Sequence, residues 1–182
     1  MKPTFSFFKE KIIFNVKTRG PYRLFPLANM DPTPDQLQSI VEACSSEEIY
    51  KWLFKEIFPQ GYTLQNASDF IDWAREGWQR GNFFVFAIQS SNGEIAGAID
   101  IKNEDLDGGE IGYWIHKDHS GLASNAVAAI KNIAKQAGYK RLFAQTKANN
   151  TRSENVLIKN SFIEDDSFRK NPSCQKRFFT IL

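Results

Sequence analysis

The clearest hydrophobic pattern in the chain changes from a two-residue alternation to a helical repeat between Glu110 and Gly138. From Glu110 to His116, β-branched and aromatic residues alternate with their neighbours, which predicts a strand. After Gly121, apolar residues recur at helical spacing, which predicts a helix that ends at Gly138. Such a junction gathers backbone N–H groups and the positive end of the helix dipole at one point. The pattern therefore predicts an anion-binding loop between strand and helix.

The remaining pattern predicts a hairpin, several helices, a meander and a closing group of strands. The predicted strands span residues 11–18, 22–27, 83–89, 94–101, 141–146, 162–168 and 177–182, and the predicted helices start at Pro34 and span 46–57, 66–80 and 151–159. Thr33 is expected to cap the first helix, and Gly81 to end the third. Strands on both sides of one central helix predict an α+β fold, and no repeat or linker divides the chain.

Bulk properties narrow the class of protein. With 182 residues and 42% hydrophobic content the chain predicts one globular domain, and a net charge of +2 does not indicate a nucleic-acid partner. Cys44 and Cys174 do not make a disulfide framework; they fit a reducing compartment as small buried residues. The first residues lack the apolar core of a signal peptide, and no apolar run is long enough for a membrane span. We therefore expect a cytoplasmic protein without membrane association.

The junction around Gly121 resembles the acetyl-CoA-binding signature of the GNAT superfamily of N-acetyltransferases. In that family a strand leads to Arg/Gln-x-x-Gly-x-Gly/Ala and then to a helix, and the matching segment here is Asp118-His119-Ser120-Gly121-Leu122-Ala123. The preceding Glu-Ile-Gly-Tyr-Trp-Ile is most similar to the branch that acetylates the N-termini of ribosomal proteins, the RimJ/RimL type. The chain departs from the signature at Asp118, where the family has a basic or amide residue, and at His119, often glycine in this branch.

The resemblance implies a GNAT fold, with a mixed, mostly antiparallel central sheet flanked by helices. It implies one acetyltransferase domain over residues 19–182, with residues 1–18 an N-terminal extension that belongs to the same body. It implies acetyl-CoA as co-substrate, with the pyrophosphate at the loop and an Asn-x-x-Ser segment along the pantetheine arm. The expected cofactor contacts are Trp114, Ile115, His116, Asp118, His119, Ser120, Gly121, Leu122, Ala123, Ser124, Asn150, Ser153 and Asn155.

Local chemistry leaves a second interpretation of these segments open. A phosphate charge about 5 Å from Asp118 would be repelled by up to about 3 kcal/mol at an effective dielectric near about 20. The alternative is that Asp118 or Ser120 caps the helix with no phosphate bound, and that Asn150 is only the cap of the next helix; the longer strand-to-helix match favours cofactor binding. Where the family has a glycine before phenylalanine the chain has Ser161, which a positive φ would strain.

Acetyl transfer to an amine needs a base for the amine proton and donors that polarise the thioester oxygen. Glu110 is the leading candidate base, because many family members have a glutamate in this strand; the alternative is an exposed strand-end carboxylate. The tyrosine acid of some family branches corresponds to Leu157, so that acid is missing here. Ser153 is the candidate group that protonates the leaving thiolate.

The sequence indicates the roles of the two histidines and of the helices before the meander less clearly. His116 and His119 lack the further ligands that a metal site needs, so we expect surface histidines that offset Asp118 when protonated. The helices over residues 46–80 are expected to form the acceptor side of the site. Their aromatic residues, at helical spacing, are expected to lie mostly in the core.

Together these observations predict an acetyl-CoA-dependent N-acetyltransferase. The acceptor would be a primary amine, on a small molecule or a protein N-terminus, which attacks directly in a ternary complex of a monomer or homodimer. The alternative is a catalytically degenerate GNAT-fold module that binds an acyl-CoA or a protein partner; Asp118, His119 and Ser161 favour it. An acetyltransferase that acts on charged RNA needs a basic face, which the dispersed lysines and arginines do not predict.

Overall fold

A single eight-stranded sheet forms the centre of the computed structural model, which describes residues 2–147, 149–168 and 175–182. The strands are β1 (Lys11–Phe14), β2 (Pro21–Pro26), β3 (Phe84–Gln89), β4 (Ile95–Ile101), β5 (Gly109–Ile115), β6 (Arg141–Lys147), β7 (Ile163–Glu164) and β8 (Gln175–Ile181). Their order is β1-β2-β3-β4-β5-β6-β8-β7, and the β5–β6 pair is parallel among otherwise antiparallel neighbours. The predicted hairpin, meander and mixed, mostly antiparallel sheet of an α+β fold are confirmed.

Helices cover both faces of this sheet. They are α1 (Pro34–Ser45), α2 (Glu47–Ile49), α3 (Leu64–Arg80), α4 (Ala123–Gln136) and α5 (Thr151–Lys159). The α4 face is the side on which α4 and α5 bury residues such as Ile130 and Leu157, and the α3 face is the side on which α1 and α3 bury Ile40 and Ile71. Among the described residues, no helix is both long enough and apolar enough to cross a membrane.

The ends of the helices follow the predicted capping chemistry. Thr33 caps α1 through a capping box with Gln36, as predicted, and Thr63 caps α3 in the same way with Asn66. Because Thr63 provides this cap, α3 begins at Leu64, slightly earlier than the sequence suggested. Gly81 ends α3 with a φ of 68°, the left-handed conformation that glycine adopts without strain.

Two strands are shorter than their hydrophobic pattern predicts, and in each case one polar side chain ends the strand. The strand predicted over residues 11–18 stops at Phe14, because the Asn15 side chain accepts the N–H groups of Lys17 and Thr18 and turns the chain. The strand predicted over residues 162–168 is limited to β7, because Asp165 accepts the N–H and hydroxyl of Ser167. Such local hydrogen bonds compete with strand pairing.

The helix predicted over residues 46–57 is only partly α-helical. After the three residues of α2, residues Tyr50–Phe54 adopt a π-helical turn, in which the Lys55 N–H donates to the Tyr50 carbonyl. The wider turn moves the following residues off the α-helical period. Leu53 and Ile57 are therefore exposed.

The first residues of the chain pack on the α4 face. Phe5 is buried against Phe84, Trp78 and Tyr139, and the Thr4 N–H donates to the carbonyl of Ala137. An aromatic side chain of this size is a substantial part of a core. The N-terminal segment therefore lies across the α4 face of the sheet, and the chain then forms the edge strand β1.

Cys44 is a free, fully buried thiol in the last turn of α1. Burial raises its pKa, which keeps the sulfur protonated and unreactive. The interpretation of Cys44 as a small buried residue is confirmed, whereas Cys174 lies outside the described residues.

Candidate active site

The central feature of the site is a gap between two parallel strands. β5 and β6 pair at residues Gly109–Ile111 and Leu142–Ala144, although they continue to Ile115 and Lys147. No ladder pairing joins residues 112–115 of β5 to residues 145–147 of β6. We call this opening the fork. Backbone groups along a fork have no strand partner, so a ligand that offers amide groups can take their place.

Thr146 places a buried, unpaired hydroxyl at the fork. Its side chain is buried, yet its hydroxyl oxygen has no hydrogen-bond partner among the described residues. Thr146 follows Leu142 and Ala144 at the two-residue period, and both of these are in the core under α4. A buried hydroxyl is normally paired. The Thr146 oxygen therefore fits a partner such as a pantetheine amide, and no pattern in the sequence identifies this residue.

The loop between β5 and α4 leaves the first turn of α4 open. Lys117–His119 form a short 3₁₀ turn, in which Nδ1 of His116 accepts the N–H of Asp118 at 3.3 Å. The N-cap position of α4 is Leu122, which makes no side-chain hydrogen bond to the helix. The interpretation that Asp118 or Ser120 caps this helix is therefore wrong, because the 3₁₀ turn places both before its start. The N–H groups of the first turn, from Ala123 onward, remain available for an oxyanion.

The β1–β2 turn holds this loop in place. The amide of Asn15 donates to the carbonyl of Ser120 at 3.1 Å, and Nζ of Lys17 donates to the Ser120 hydroxyl at 3.0 Å. Gly121 has a φ of 106°, and a Cβ there would lie 2.5 Å from Oδ1 of Asn15. Gly121 is therefore required for the packing of the turn as well as for the loop conformation. Lys17 brings to the loop a positive charge that the sequence signature does not predict.

The two histidines are half-buried rather than on the surface, which corrects the prediction. Nδ1 of His119 lies 2.9 Å from the hydroxyl of Tyr22, and its Nε2 lies 3.5 Å from a carboxylate oxygen of Glu94. Burial lowers the pKa of His119, although Glu94 opposes the effect. His119 is therefore neutral near pH 7 and does not supply the charge expected to offset Asp118. No group of three His, Cys, Asp or Glu side chains in the described part of the chain could hold a metal ion.

Asp118 itself extends into solvent. Its side chain is 70% exposed, and its carboxylate lies 3.7 Å from Nδ1 of His116. Exposed charges are screened by water and salt, so the repulsion between Asp118 and a phosphate is smaller than the sequence-based value. Asp118 therefore does not decide against a phosphate at the start of α4.

On the other side of the fork, α5 presents the predicted Asn-x-x-Ser segment. Asn150 caps α5, because its Oδ1 accepts the Ser153 N–H at 3.3 Å. The Ser153 hydroxyl lies 2.8 Å from the hydroxyl of Tyr113, a β5 residue on the same side of the sheet. Burial raises the pKa of Tyr113 to about 12, so its phenol stays protonated. The two hydroxyls form a pair at the wall of the fork, next to the position where the family tyrosine is missing.

The remaining predicted cofactor contacts differ in how far their side chains are buried. Trp114 and Leu122 are buried, Trp114 on the α3 face and Leu122 on the α4 face, so any cofactor contact they make involves the main chain. Ile115 packs against the core of the α4 face. The hydroxyl of Ser124 accepts from the amide of Asn160 at 3.3 Å, which ties the start of α4 to the end of α5. Asn155 is exposed on the outer side of α5.

Glu110 lies on the α3 face at the base of the fork. Its Oε1 accepts from Nζ of Lys102 at 3.0 Å, and its Oε2 accepts from the amide of Gln145 at 3.4 Å. Its side chain is only 22% exposed, which does not fit the alternative of an exposed carboxylate at the end of a strand. Glu110 thus has a defined ionic partner on the α3 face of the sheet.

Asp100 of β4 is a second carboxylate at the same place, and sequence analysis did not identify it. Its Oδ1 accepts the Gly112 N–H at 3.0 Å, and burial raises its pKa to about 7, against the lowering effect of Lys102. The carboxylates of Asp100 and Glu110 in turn raise the pKa of Lys102, although partial burial of the lysine opposes them. The only sequence signal is a carboxylate in the apolar strand Ile95–Ile101, and its importance depends on cross-strand pairing with Gly112.

Surface cavities adjoin the sheet at two places. A cavity of about 230 Å³ next to Lys102 is lined by Trp73, Glu76, Gly77, Arg80, Asn82, Phe83 and Lys102. It lies beside α3 and borders Lys102, the ionic partner of Glu110. A larger cavity of about 520 Å³, between the N-terminal segment and the start of α1, lies away from the fork. The smaller cavity is therefore the relevant one for the site.

Comparison with known proteins agrees with this arrangement. Residues 30–163 match the family model described as acetyltransferase (GNAT) domain. The chain belongs to the GNAT acetyltransferase family. The match spans the α3 face, the fork and α5, so the GNAT fold and the class of enzyme are confirmed. Acetyl-CoA, the acetyl donor of the family, is its co-substrate.

Solved GNAT structures share the fold at low sequence identity. Mycobacterium smegmatis RimJ in complex with CoA-disulfide has a TM-score of 0.76 at 18% identity, covering 100% of this chain and 90% of that chain. RimL, a ribosomal L7/L12 alpha-N-protein acetyltransferase in complex with coenzyme A, has a TM-score of 0.70 at 16% identity, covering 94% and 98%. Spermidine N-acetyltransferase from Vibrio cholerae, in complex with CoA and spermine, has a TM-score of 0.66 at 12% identity, covering 88% and 95%. No curated protein matches the sequence significantly.

Proposed function

We propose that this GNAT protein transfers the acetyl group of acetyl-CoA to a primary amine by direct attack in a ternary complex. The observation that supports it most strongly is the fork between β5 and β6, which has an uncapped α4 start at one end and a carboxylate cluster at its base. A fork of this kind suits an extended, amide-rich ligand, and the carboxylates suit an incoming cationic amine.

The cofactor residues follow from this placement. The pyrophosphate would lie against the N–H groups that follow Gly121, with Lys17 as an additional cation. The pantetheine amides would meet Thr146 and the backbone of β5, including Trp114 and Ile115. The contacts predicted for His116, Asp118, His119, Ser120, Leu122, Ala123, Ser124, Asn150 and Asn155 remain part of this proposal.

The chemical roles divide between the two faces. A carboxylate on the α3 face takes the amine proton, and Glu110 is the residue that sequence analysis assigns to this role. Ser153, paired with Tyr113, protonates the leaving thiolate from the α4 face. We expect Ser153→Ala to lower kcat about ten-fold with little change in KM for acetyl-CoA, because the main chain carries most of the binding.

The acceptor class we propose is a protein N-terminus. Its support is the Glu-Ile-Gly-Tyr-Trp-Ile segment that resembles the ribosomal-protein branch, together with the likeness of the fold to RimJ and RimL. A small polyamine is the alternative, since a spermidine acetyltransferase shares the same fold. We further propose that the protein acts in the cytoplasm as a monomer or homodimer; the free buried thiol of Cys44 suits a reducing compartment.

The test is an assay of CoA thiol release with acetyl-CoA and a set of amines, followed by mass spectrometry of the amine. The set contains peptides with free N-termini, the same peptides with blocked N-termini and an internal lysine, and spermidine. Release of thiol with a matching mass increase on free N-termini supports the proposal. Cofactor binding without acetylation of any amine would instead support the non-catalytic module.

A further inference from the structure

The base of the fork contains three charged side chains that alternate in sign. Nζ of Lys102 lies 3.0 Å from Oε1 of Glu110, and both Lys102 and Asp100 border the space above Gly112. A Cβ on Gly112 would lie 2.8 Å from Cε of Lys102 and 3.1 Å from Oδ1 of Asp100. A side chain at this position would therefore displace the end of Lys102 from the cluster.

The cluster sits where the fork opens. Asp100 pairs across the sheet with Gly112, and Ile111 is the last β5 residue that pairs with β6. The neighbours of Asp100 in β4, Ile99 and Ile101, are in the core of the α4 face, so the Asp100 carboxylate points to the α3 face. Asp100 is thus beside the first unpaired residue of β5 and on the side from which an amine would come.

The two carboxylates differ in their partners. Both carboxylate oxygens of Glu110 are already engaged, by the Lys102 ammonium at 3.0 Å and by the Gln145 amide at 3.4 Å. Asp100 accepts one backbone N–H, and no side-chain ion pair within 4 Å engages it among the described residues. An acceptor carboxylate works best with a pKa near the operating pH, and burial brings the pKa of Asp100 to about 7.

We propose that Asp100 is the catalytic proton acceptor of this enzyme and that Glu110 acts through Lys102 as a positioning residue. This assignment rests on the proposed function and refines its base. Asp100 takes one proton from the ammonium of the acceptor, which frees the nitrogen lone pair. The nitrogen bonds to the thioester carbonyl carbon, the C–S bond breaks, and the sulfur leaves with its electron pair. The sulfur takes its proton from the Ser153 hydroxyl, which is reprotonated by the second excess proton of the nitrogen, and Asp100 then releases its own proton to water.

The charged groups around Asp100 set the direction of each variant's effect. Lys102 and Glu110 face it directly, and Glu76 and Arg80 of α3 line the cavity that Lys102 borders. Lys102 lowers the pKa of Asp100 and Glu110 raises it. Glu110→Gln should therefore move the acidic limb of the rate profile to lower pH, and Lys102→Met should move it to higher pH.

The experiment measures kcat/KM against pH for the intact protein and for D100N, E110Q and K102M. For the unmodified protein we expect an acidic limb near pH 7, because Asp100 must be ionised to accept a proton. D100N should lose this limb and about 100-fold or more in rate, while E110Q and K102M keep the limb at shifted positions. Acetyl-CoA titration of D100N provides the control, since unchanged affinity shows that the fork is intact.

The outcomes separate this assignment from the proposed function. An E110Q variant that loses the limb, or a D100N variant that keeps it, would overturn the assignment while acetyl transfer itself stands. If the unmodified protein acetylates no amine, the proposed function fails. The catalytic role of Asp100 then fails with it, whether or not NMR finds a carboxyl resonance that titrates near pH 7 and is missing in D100N.

Discussion

The two faces of the sheet meet at the fork, and they are built from different chemistry. The α4 face offers main-chain groups and small residues: the open start of α4, the Gly121 loop and the unpaired Thr146 hydroxyl. The α3 face offers charged side chains, with Asp100, Lys102 and Glu110 at the base of the fork. Main-chain recognition suits a cofactor that a whole family shares, whereas side chains suit an acceptor that differs between members.

The two faces also differ in the interactions that hold their covering segments on the sheet. α4 and α5 bury a continuous apolar core, while the segment formed by α2 and the π-helical turn is linked to the far strand by ion pairs. Lys147 of β6 pairs with Glu56 at 2.9 Å, and Arg152 of α5 pairs with Glu48. Exposed ion pairs of this kind each contribute at most about 1 kcal/mol. The segment over the α3 face is therefore held by weak ion pairs as well as by the apolar contacts of Ile49, Phe54 and Phe58.

The largest predicted effect comes from disrupting the loop between β5 and α4. Gly121→Ala introduces a Cβ 2.5 Å from Oδ1 of Asn15 at a φ of 106°. We expect a loss of about 3 kcal/mol in the free energy of unfolding and weaker acetyl-CoA binding, measured by denaturant titration and calorimetry. Gly93→Ala is the matched control, with a φ of 94° and no atom within 4 Å, and should lose only about 1 kcal/mol. Equal losses in both variants would show that the β1–β2 turn does not constrain the loop.

The next effect concerns stability on the α3 face. The folded-state pKa of Asp100, about 7, lies above its ordinary value of 3.8, so its contribution to stability is complete below about pH 4 and is lost as pH rises through 7. Asp100→Asn should therefore raise the free energy of unfolding at pH 8 by about 2 kcal/mol, with no gain at pH 4. Urea titrations at the two pH values measure this difference.

A control for the Asp100 variant exists on the surface. Hydrogen bonding to Lys140 lowers the pKa of Asp107, so that carboxylate contributes above its ordinary pKa and Asp107→Asn should give no gain at pH 8. A stabilised but inactive D100N variant would mark Asp100 as a residue kept for function at the expense of stability. Destabilisation of D100N at pH 8 would contradict the raised pKa.

A smaller effect tests the charge at the cofactor loop. Asp118→Arg should tighten acetyl-CoA binding by about 1 kcal/mol, roughly five-fold, because Asp118 is exposed and its repulsion is screened. Asp35→Arg, in the first turn of α1 on the other face, is the matched change and should leave the affinity unchanged. Equal affinities for the Asp118 variant and the unmodified protein would place the phosphates away from this loop.

The smallest effect lies at the end of α5. Ser161 has a φ of 63°, the positive value that the family glycine predicted and that strains other residues. Ser161→Gly should raise the free energy of unfolding by about 0.5–1 kcal/mol without changing turnover. Asn149→Gly, at a φ of 72°, should gain less, because asparagine tolerates this conformation better. Thermal melting of the three proteins ranks them, and a lower melting temperature for the Ser161 variant would contradict the strain.

The α4 face could be predicted from sequence because its signals are local. The alternation of β5, the helical repeat of α4 and the glycine between them are all contained in one continuous stretch. Asp100 could not be predicted, because its surroundings arise only when β4 pairs with β5 and places it over Gly112. The same holds for Lys17, which reaches Ser120 from a distant hairpin. Local pattern specifies elements, and tertiary pairing decides which polar residues they bring together.

The measurement that tests the central claim most directly is a calorimetric titration of the intact protein with acetyl-CoA, repeated with Thr146→Val. The fork predicts binding in the micromolar range, a matching rise in melting temperature, and an affinity loss of about five- to ten-fold when the Thr146 hydroxyl is removed. No heat of binding at millimolar acetyl-CoA would contradict a cofactor site at the fork. In that event the chain would be a GNAT fold without GNAT chemistry.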